Sequence, residues 1–348
     1  MFKSFKQGTL AALKRAGVFK IVENSRWRRE RLLILAYHGI SLEDEHLWNS
    51  ALYMPPANFR GRLKLLKQGG YKVLPLAEAL HRLYADDLPE KSVAITFDDG
   101  NYDFYKQAYP IIKEYNFPVT VYLSTYYSQY GRPVFDVMCS YILWKGCDAV
   151  FYGRTIINHD ITLNLNEASN RRAALQLIFK FARRNKLSAA EKDDLAANLA
   201  RQLGVDYDAL LDKRILQLMN PAEVAQISAE GVDVQLHTHR HRAPINHDLF
   251  FNEIEKNRRV IYEMTAASAA HFCYPNGNIH PNFSSWLKEL NIVSATTCIP
   301  GLASRTSNEL FLPRLVDGSM LAPIEFEGWL TGIASILPRR PKIFGGER

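Results

Sequence analysis

Cysteine is scarce: the 348 residues hold four, Cys139, Cys147, Cys273 and Cys298, and no two are closely spaced. That rules out a Cys-pair zinc ribbon and a disulfide framework, and fits a few buried thiols in a reducing compartment. No stretch approaches the roughly 18 consecutive apolar residues that a spanning helix needs. Residues 1–22 lack the unbroken apolar centre of a secretion signal, because Lys3, Lys6, Lys14, Arg15 and Lys20 are spread through them. Basic residues interleaved with aromatics are missing as well, so nucleic acid is not an expected partner. No internal repeat is visible. These absences lead us to expect a cytoplasmic protein.

What is present is a large apolar fraction, 47%, and a net charge of +7 with a sequence pI near 9.1. The first is enough for a large core in one α/β domain with additions; the second makes an anionic surface a plausible neighbour. Phe2, Phe5, Leu10, Leu13, Val18 and Phe19 outline an imperfect amphipathic helix, followed by Arg26, Arg28, Arg29 and Arg31 around Trp27. Such a segment, residues 1–31, either lies on the inner face of an anionic membrane or packs on its own domain. The pattern alone leaves both readings open.

Two stretches carry the chemistry. Ser92-Val93-Ala94-Ile95 runs into Thr96-Phe97-Asp98-Asp99-Gly100, a buried strand opening into a turn. If the backbone leaves the strand after Phe97, both carboxylates reach one pocket mouth in different roles. About 140 residues on, Val232 to Leu236 is another such strand, followed by His237-Thr238-His239-Arg240-His241. On a continuous strand His237 and His241 would stand about 13 Å apart, so one ion can hold both only if the chain turns after Leu236. His239 is then the odd one out. Together the stretches supply an Asp-His-His ligand set and a spare carboxylate, the inventory of a catalytic metal site.

Thr-Phe-Asp-Asp-Gly followed by His-Thr-x-x-His resembles the first two motifs of the polysaccharide deacetylases, the NodB-homology carbohydrate esterases. Phe272-Cys273-Tyr274-Pro275-Asn276-Gly277 is similar to their third motif. The resemblance spans roughly residues 33–320. It implies Asp98 as catalytic base, and Asp99, His237 and His241 as ligands of one divalent metal. Zn²⁺ suits these ligands best, with Co²⁺, Ni²⁺ and Fe²⁺ fitting the same set. Most relatives draw a general-acid histidine from a late motif, yet this chain has no histidine after His280. In the circularly permuted branch acting on poly-N-acetylglucosamine, an early Tyr-His provides it, and Tyr37-His38 matches that position.

The resemblance further implies a distorted (β/α)7-type barrel, the NodB-homology fold. Alternation of short apolar strands and helices agrees with parallel βα units, whose ligands collect at strand C-terminal ends. The pattern breaks at about 126–218, read as a largely helical insertion within a catalytic domain of 32–336. The insertion either caps the active site or is packing decoration. Residues 337–348 form a basic, Pro-rich tail.

Two departures from the family pattern stand out. The third-motif arginine that pairs with the catalytic Asp is missing, with Cys273 in its region, and Arg314 in Leu-Pro-Arg-Leu is the candidate replacement. Asn276 stands where an aromatic residue is usual nearby. Tyr274, Pro275, Asn276 and Gly277 are expected to support or touch substrate, with a backbone N–H near Tyr274 offered to an oxyanion. The implied reaction is removal of acetyl from an N-acetylated saccharide, whether polymer, oligosaccharide or lipid-linked precursor. The alternatives are an O-acetyl esterase on the same site, or a non-catalytic saccharide-binding protein.

Overall fold

A computed structural model describes residues 2–337, so the expected tail lies outside the described residues beyond Leu337. Tyr127–Leu218 forms one compact unit and the remainder of the chain another. The larger unit is built on a nine-stranded sheet. In chain order its strands are β1 (Arg31–Tyr37), β2 (Lys72–Val73), β3 (Ser92–Phe97), β4 (Thr120–Leu123), β5 (Asp233–Leu236), β6 (His271–Cys273), β7 (Ser294–Thr296), β8 (Ala303–Ser304) and β9 (Leu315–Val316).

From one edge the order is β7-β6-β5-β4-β3-β1, and β9 lies beside the C-terminal half of β1. All of these pairings are parallel. A further parallel bridge joins Thr296 of β7 to Leu312, just before β9, so the sheet curls most of the way back on itself. The result is the expected distorted barrel. β2 pairs in parallel with the start of β3, and within this sheet only β8 runs antiparallel, against the start of β1.

Burial explains why these segments are strands. Leu32 to Tyr37 and Ser92 to Phe97 are buried at every position, as parallel strands covered on both faces must be. Alternate side chains feed two clusters. Leu33, Leu35, Tyr37, Val93, Ile95 and Phe97 enter the main core, while Leu32, Ile34 and Ala94 join Leu76, Leu80 and Leu83 of the helix Leu76–Tyr84. The apolar run Leu32–Ile40 is not one strand. Gly39–Ile40 leaves the sheet after His38 and pairs with Tyr53–Met54. A π-helical turn at Phe104–Ala108 leads into the helix Tyr109–Tyr115.

The N-terminal segment spends its apolar side on its own unit. It is two helices, Phe2–Arg15 and Val18–Glu23, broken at Gly17, rather than one. Leu10 and Phe19 are buried with Ile333, and Lys6 and Lys14 pair with Glu325 and Glu327 of the helix Pro323–Leu330. Arg28 is fully buried, donating to the carbonyls of Leu330 and Arg31.

The smaller unit contains one hairpin, Val150–Tyr152 against Thr162–Asn164, with a short helix Gly153–Ile157 at its turn. Its long helices are Phe135–Lys145, Ala168–Arg184 and Ala189–Gln202, the last opened by a Ser188/Glu191 capping box.

Candidate active site

The site forms where β1, β3, β5 and β6 end. After Phe97 the backbone leaves the strand: Asp99 has φ 70° and Gly100 φ 81°. A Cβ on Gly100 would stand 2.3 Å from Leu123 Cδ1, so glycine is required there on both counts. This turn sends the two carboxylates to different partners.

Asp98 is buried and held by Arg314 in a bidentate pair, Nη1 to Oδ1 at 2.7 Å and Nη2 to Oδ2 at 2.7 Å. Arg314 is itself fixed: Nε donates to the Thr297 carbonyl, Nη1 also to Thr96 Oγ1, and Nη2 also to Cys273 Sγ at 3.0 Å. Burial alone would raise the Asp98 carboxyl, but the adjacent guanidinium outweighs it and holds the group at about 2. His38 Nε2 lies 3.7 Å from Asp98 Oδ2. Burial lowers its pKa, with the Asp98 and Asp99 charges opposing.

Asp99 faces the histidines. Its Oδ1 is 3.2 Å from Nε2 of His237 and 3.1 Å from Nε2 of His241. His237 follows directly on β5, and positive φ at Thr238 (63°) and His241 (53°) turns the chain so that His241 comes back beside it, ring centroids 4.9 Å apart. Left-handed backbone at a β-branched residue costs about 1–3 kcal/mol and is characteristic of functional sites. Thr238 contributes to the turn, its Oγ1 accepting from the Arg242 N–H at 3.0 Å.

Hydrogen bonding tests whether these residues fit a metal. His237 Nδ1 is 2.8 Å from the Cys273 carbonyl, which can only accept, so Nδ1 carries a hydrogen and, in the neutral ring, Nε2 a lone pair. That lone pair faces a buried carboxylate oxygen with no hydrogen-bond partner. A carboxylate oxygen and a neutral imidazole nitrogen at 3.2 Å repel unless a cation, whether a metal or a proton on Nε2, sits between them. Asp99, His237 and His241 thus fit a divalent metal, and nitrogen with carboxylate donors is a zinc-like set. A second convergence, Asp98 with His237 and Cys273, does not fit one. There both Asp98 oxygens are taken by Arg314, and His237 Nδ1 is committed to the carbonyl.

The third-motif residues sit differently from expectation. Tyr274 is buried, its hydroxyl donating to the Leu310 carbonyl, and Pro275 is buried beside it. Neither is open to a substrate. The Tyr274 N–H donates to the Thr296 carbonyl at 3.2 Å, continuing the sheet, and so is not free for an oxyanion. Asn276, exposed at φ 56°, and Gly277 at φ 67° form the turn above them.

Several supporting residues escaped the sequence reading. Asn257 accepts from the His237 N–H at 2.9 Å and donates to the Leu123 carbonyl and Thr125 Oγ1. Thr125 Oγ1 also holds Nδ1 of buried His239, which is structural. Glu253 gathers Arg240 and Arg242 on either side of His241. A signal existed: 250, 253, 254, 257 and 261 form the buried stripe of the helix His247–Thr265, and polar residues within such a stripe call for partners.

The chain is thus an α/β barrel whose C-terminal edge holds a guanidinium-clamped carboxylate, a histidine and an Asp-His-His donor set. Known proteins narrow this to a family. The profile described as "Polysaccharide deacetylase" matches residues 85–143 and 190–295. YxkH of Bacillus subtilis (strain 168), named as a polysaccharide deacetylase, is 39% identical over 94 residues, 27% of this chain and 32% of its own length. A poly-beta-1,6-N-acetyl-D-glucosamine N-deacetylase of Staphylococcus aureus (strain MSSA476) is 38% identical over 69 residues, 20% of this chain and 24% of its own. The chain thus spans about a third and a quarter of these relatives' lengths.

Two solved structures share the fold. Streptococcus pyogenes deacetylase PplD in complex with acetate aligns at TM-score 0.55 with 20% identity, covering 85% of this chain and 96% of that one. IcaB from Ammonifex degensii aligns at 0.52 with 16% identity, covering 86% and 97%. Together these likenesses support the NodB-type polysaccharide deacetylase family as what this chain resembles.

Proposed function

We propose that the protein hydrolyses the acetamido group of an N-acetylated saccharide, releasing acetate and a free amine, with one divalent metal. The observation that carries this reading is the pairing of Asp98, clamped by Arg314, with His38 beside the Asp99–His237–His241 set. The S. aureus relative, whose name states this activity on poly-N-acetylglucosamine, supports the same choice of substrate.

Asp99, His237 and His241 would hold the metal, which supplies Lewis acidity toward a carbonyl and toward water. Asp98 takes the proton of the attacking water. Arg314 keeps that carboxylate ionised and aims it, at the cost of basicity. His38 gives a proton to the departing nitrogen, without which an amine is a poor leaving group. The water oxygen ends in acetate and its hydrogens on the acid–base pair and the amine, so the balance closes.

The test is acetate release from a panel of N-acetylated and O-acetylated saccharides, comparing wild type with Asp98→Asn after metal quantification. Release from N-acetylhexosamine substrates should fall about 10²- to 10⁴-fold in the variant with metal retained. Release from O-acetyl esters alone would make the protein an esterase. No release from any member, with metal bound, would favour saccharide binding without catalysis.

A further inference from the structure

No side chain among the described residues hydrogen-bonds the imidazole of His38, the proposed proton donor. Its Nδ1 is buried without a partner, and its Nε2 stands 3.7 Å from Asp98 Oδ2, beyond hydrogen-bond reach. A buried ring nitrogen in that state calls for an explanation. With neither nitrogen held, the ring is aimed by the backbone that carries it.

That backbone is gripped by one short segment. The Asp98 N–H donates to the Tyr37 carbonyl at 2.9 Å, just before His38. Asn101 Nδ2 donates to the His38 carbonyl itself at 3.3 Å. Asp103 Oδ1 accepts from the Ile40 N–H at 3.1 Å, two residues further on. Residues 98–103 therefore carry the proposed base, a proposed metal ligand and two side chains that hold the segment bearing the acid. Both Asn101 and Asp103 are buried. The fit is close as well: a Cβ on Gly39 would stand 2.1 Å from Tyr53 Cε1 and 2.9 Å from Asp103 Oδ2.

The gripping segment is anchored in turn. The Asp99 carbonyl accepts from the Ser124 N–H, and the Gly100 carbonyl from the Met219 N–H. The π-helical turn Phe104–Ala108 starts directly after Asp103 and sets the Phe104 ring against Phe97, centroids 4.8 Å apart. Such turns recur at functional sites. Burial pushes the Asp103 carboxyl well above the usual carboxylate range; the Glu45 and Asp99 charges add to this and the Ile40 N–H opposes it. Near neutrality Asp103 is thus an uncharged acid, and an amide of the same shape can replace it.

We propose that Asn101 and Asp103 are positioning residues for His38, fixing the peptide units around it so that its imidazole faces the departing nitrogen. This rests on the reading of His38 as proton donor. The test compares deacetylation of an N-acetylglucosamine oligomer with hydrolysis of para-nitrophenyl acetate, whose leaving group departs without a proton. Asn101→Ala and Asp103→Ala should each lower kcat on the oligomer about 10- to 100-fold, the scale of a misplaced catalytic group, and leave the ester rate within about twofold. Asp103→Asn keeps an acceptor for the Ile40 N–H and should recover most of the loss. In a His38→Ala background, neither alanine should cost more than about twofold further, because residues acting through one group are not additive. Bound metal should match wild type throughout. The proposal is overturned if the alanines slow both substrates alike, if they cost as much without His38 as with it, or if metal falls in step with turnover. Should Asp103→Ala not fold, Asn101→Ala decides alone. Failure of the underlying reading has its own signature: His38→Ala would itself leave the oligomer rate unchanged, and the positioning roles would fall with it.

Discussion

Asp98 and Asp99 are adjacent in sequence and opposite in situation. Asp98 is completed by the protein, with both oxygens on one guanidinium that is itself tied to Thr96, Thr297 and Cys273. Asp99 is left incomplete, its Oδ1 facing two imidazole nitrogens without a hydrogen-bond partner. The contrast shows that charge pairing built into the fold fixes one carboxylate as ionised and oriented. The other faces two imidazoles as part of the donor set proposed to hold a metal. The backbone agrees: positive φ occurs at Asp99, Thr238 and His241 on the incomplete side, while Asp98 continues the ladder through its N–H to the Tyr37 carbonyl.

The sharpest way to break this contrast is to remove the incomplete member. Asp99→Ala should abolish metal binding and with it acetate release, down to background. Stripping wild type with a chelator should do the same, and added Zn²⁺ should restore wild type but not the variant. Thermal melts give a second readout, because a ligand bound only by the native state raises its stability. Zn²⁺ should raise the melting temperature of wild type alone. An equal rise in Asp99→Ala would place the metal elsewhere.

Removing the clamp from the completed side should act differently. Arg314→Met leaves Asp98 buried beside a thiol and without its cation, and breaking a buried pair costs about 3–5 kcal/mol. Urea midpoints should fall accordingly and turnover should drop, while bound metal, measured by elemental analysis, stays at the wild-type level. Loss of metal, or unchanged turnover, would mean the two halves are not separable as described.

How much of this was legible follows from the distances in sequence. The ligand pair could be read because His237 and His241 sit four apart on one turn, where strand geometry itself demands a bend. Arg314 was legible only as a candidate, since 216 positions separate it from Asp98 and nothing local marks it. Parallel βα units could be read from the alternation of short apolar strands such as Leu32–Ala36 with helices, whereas the barrel was implied only by the family resemblance. What stayed hidden was which backbone groups the sheet had already used. The Tyr274 N–H looked available because its acceptor, Thr296, belongs to a strand whose register no local pattern gives. Cys273 was noted only as a missing arginine, yet its carbonyl orients His237 and its sulfur accepts from Arg314.

Asn257 offers a smaller perturbation, on the support of the incomplete side. Its carboxamide holds the His237 N–H and two groups at the end of β4 together. Asn257→Ala leaves the ligands in place but frees the loop, and loss of such supporting contacts typically costs about 10- to 100-fold in metal affinity. Competition with a fluorescent zinc chelator would measure it. An affinity within twofold of wild type would show that the strained turn holds its shape without this residue.

The mildest prediction separates a metal-ligand histidine from a core one. His271 begins β6, next to the strand that His237 follows, and it too is buried. Its Nδ1 meets Ser294 Oγ at 2.8 Å. Burial lowers its pKa, with Asp233 opposing. A histidine depressed in the folded state stays neutral there while the unfolded chain takes up a proton near its ordinary value of about 6.5. Its stabilising contribution is therefore complete above that value and is lost as pH falls toward the folded pKa. Urea midpoints near neutrality and at about pH 5 should fall more steeply in wild type than in His271→Gln. Parallel falls would assign the acid sensitivity to other groups. A carbonyl on Nδ1 with a carboxylate at Nε2 commits His237 to a cation, whereas a hydroxyl partner leaves His271 as neutral packing.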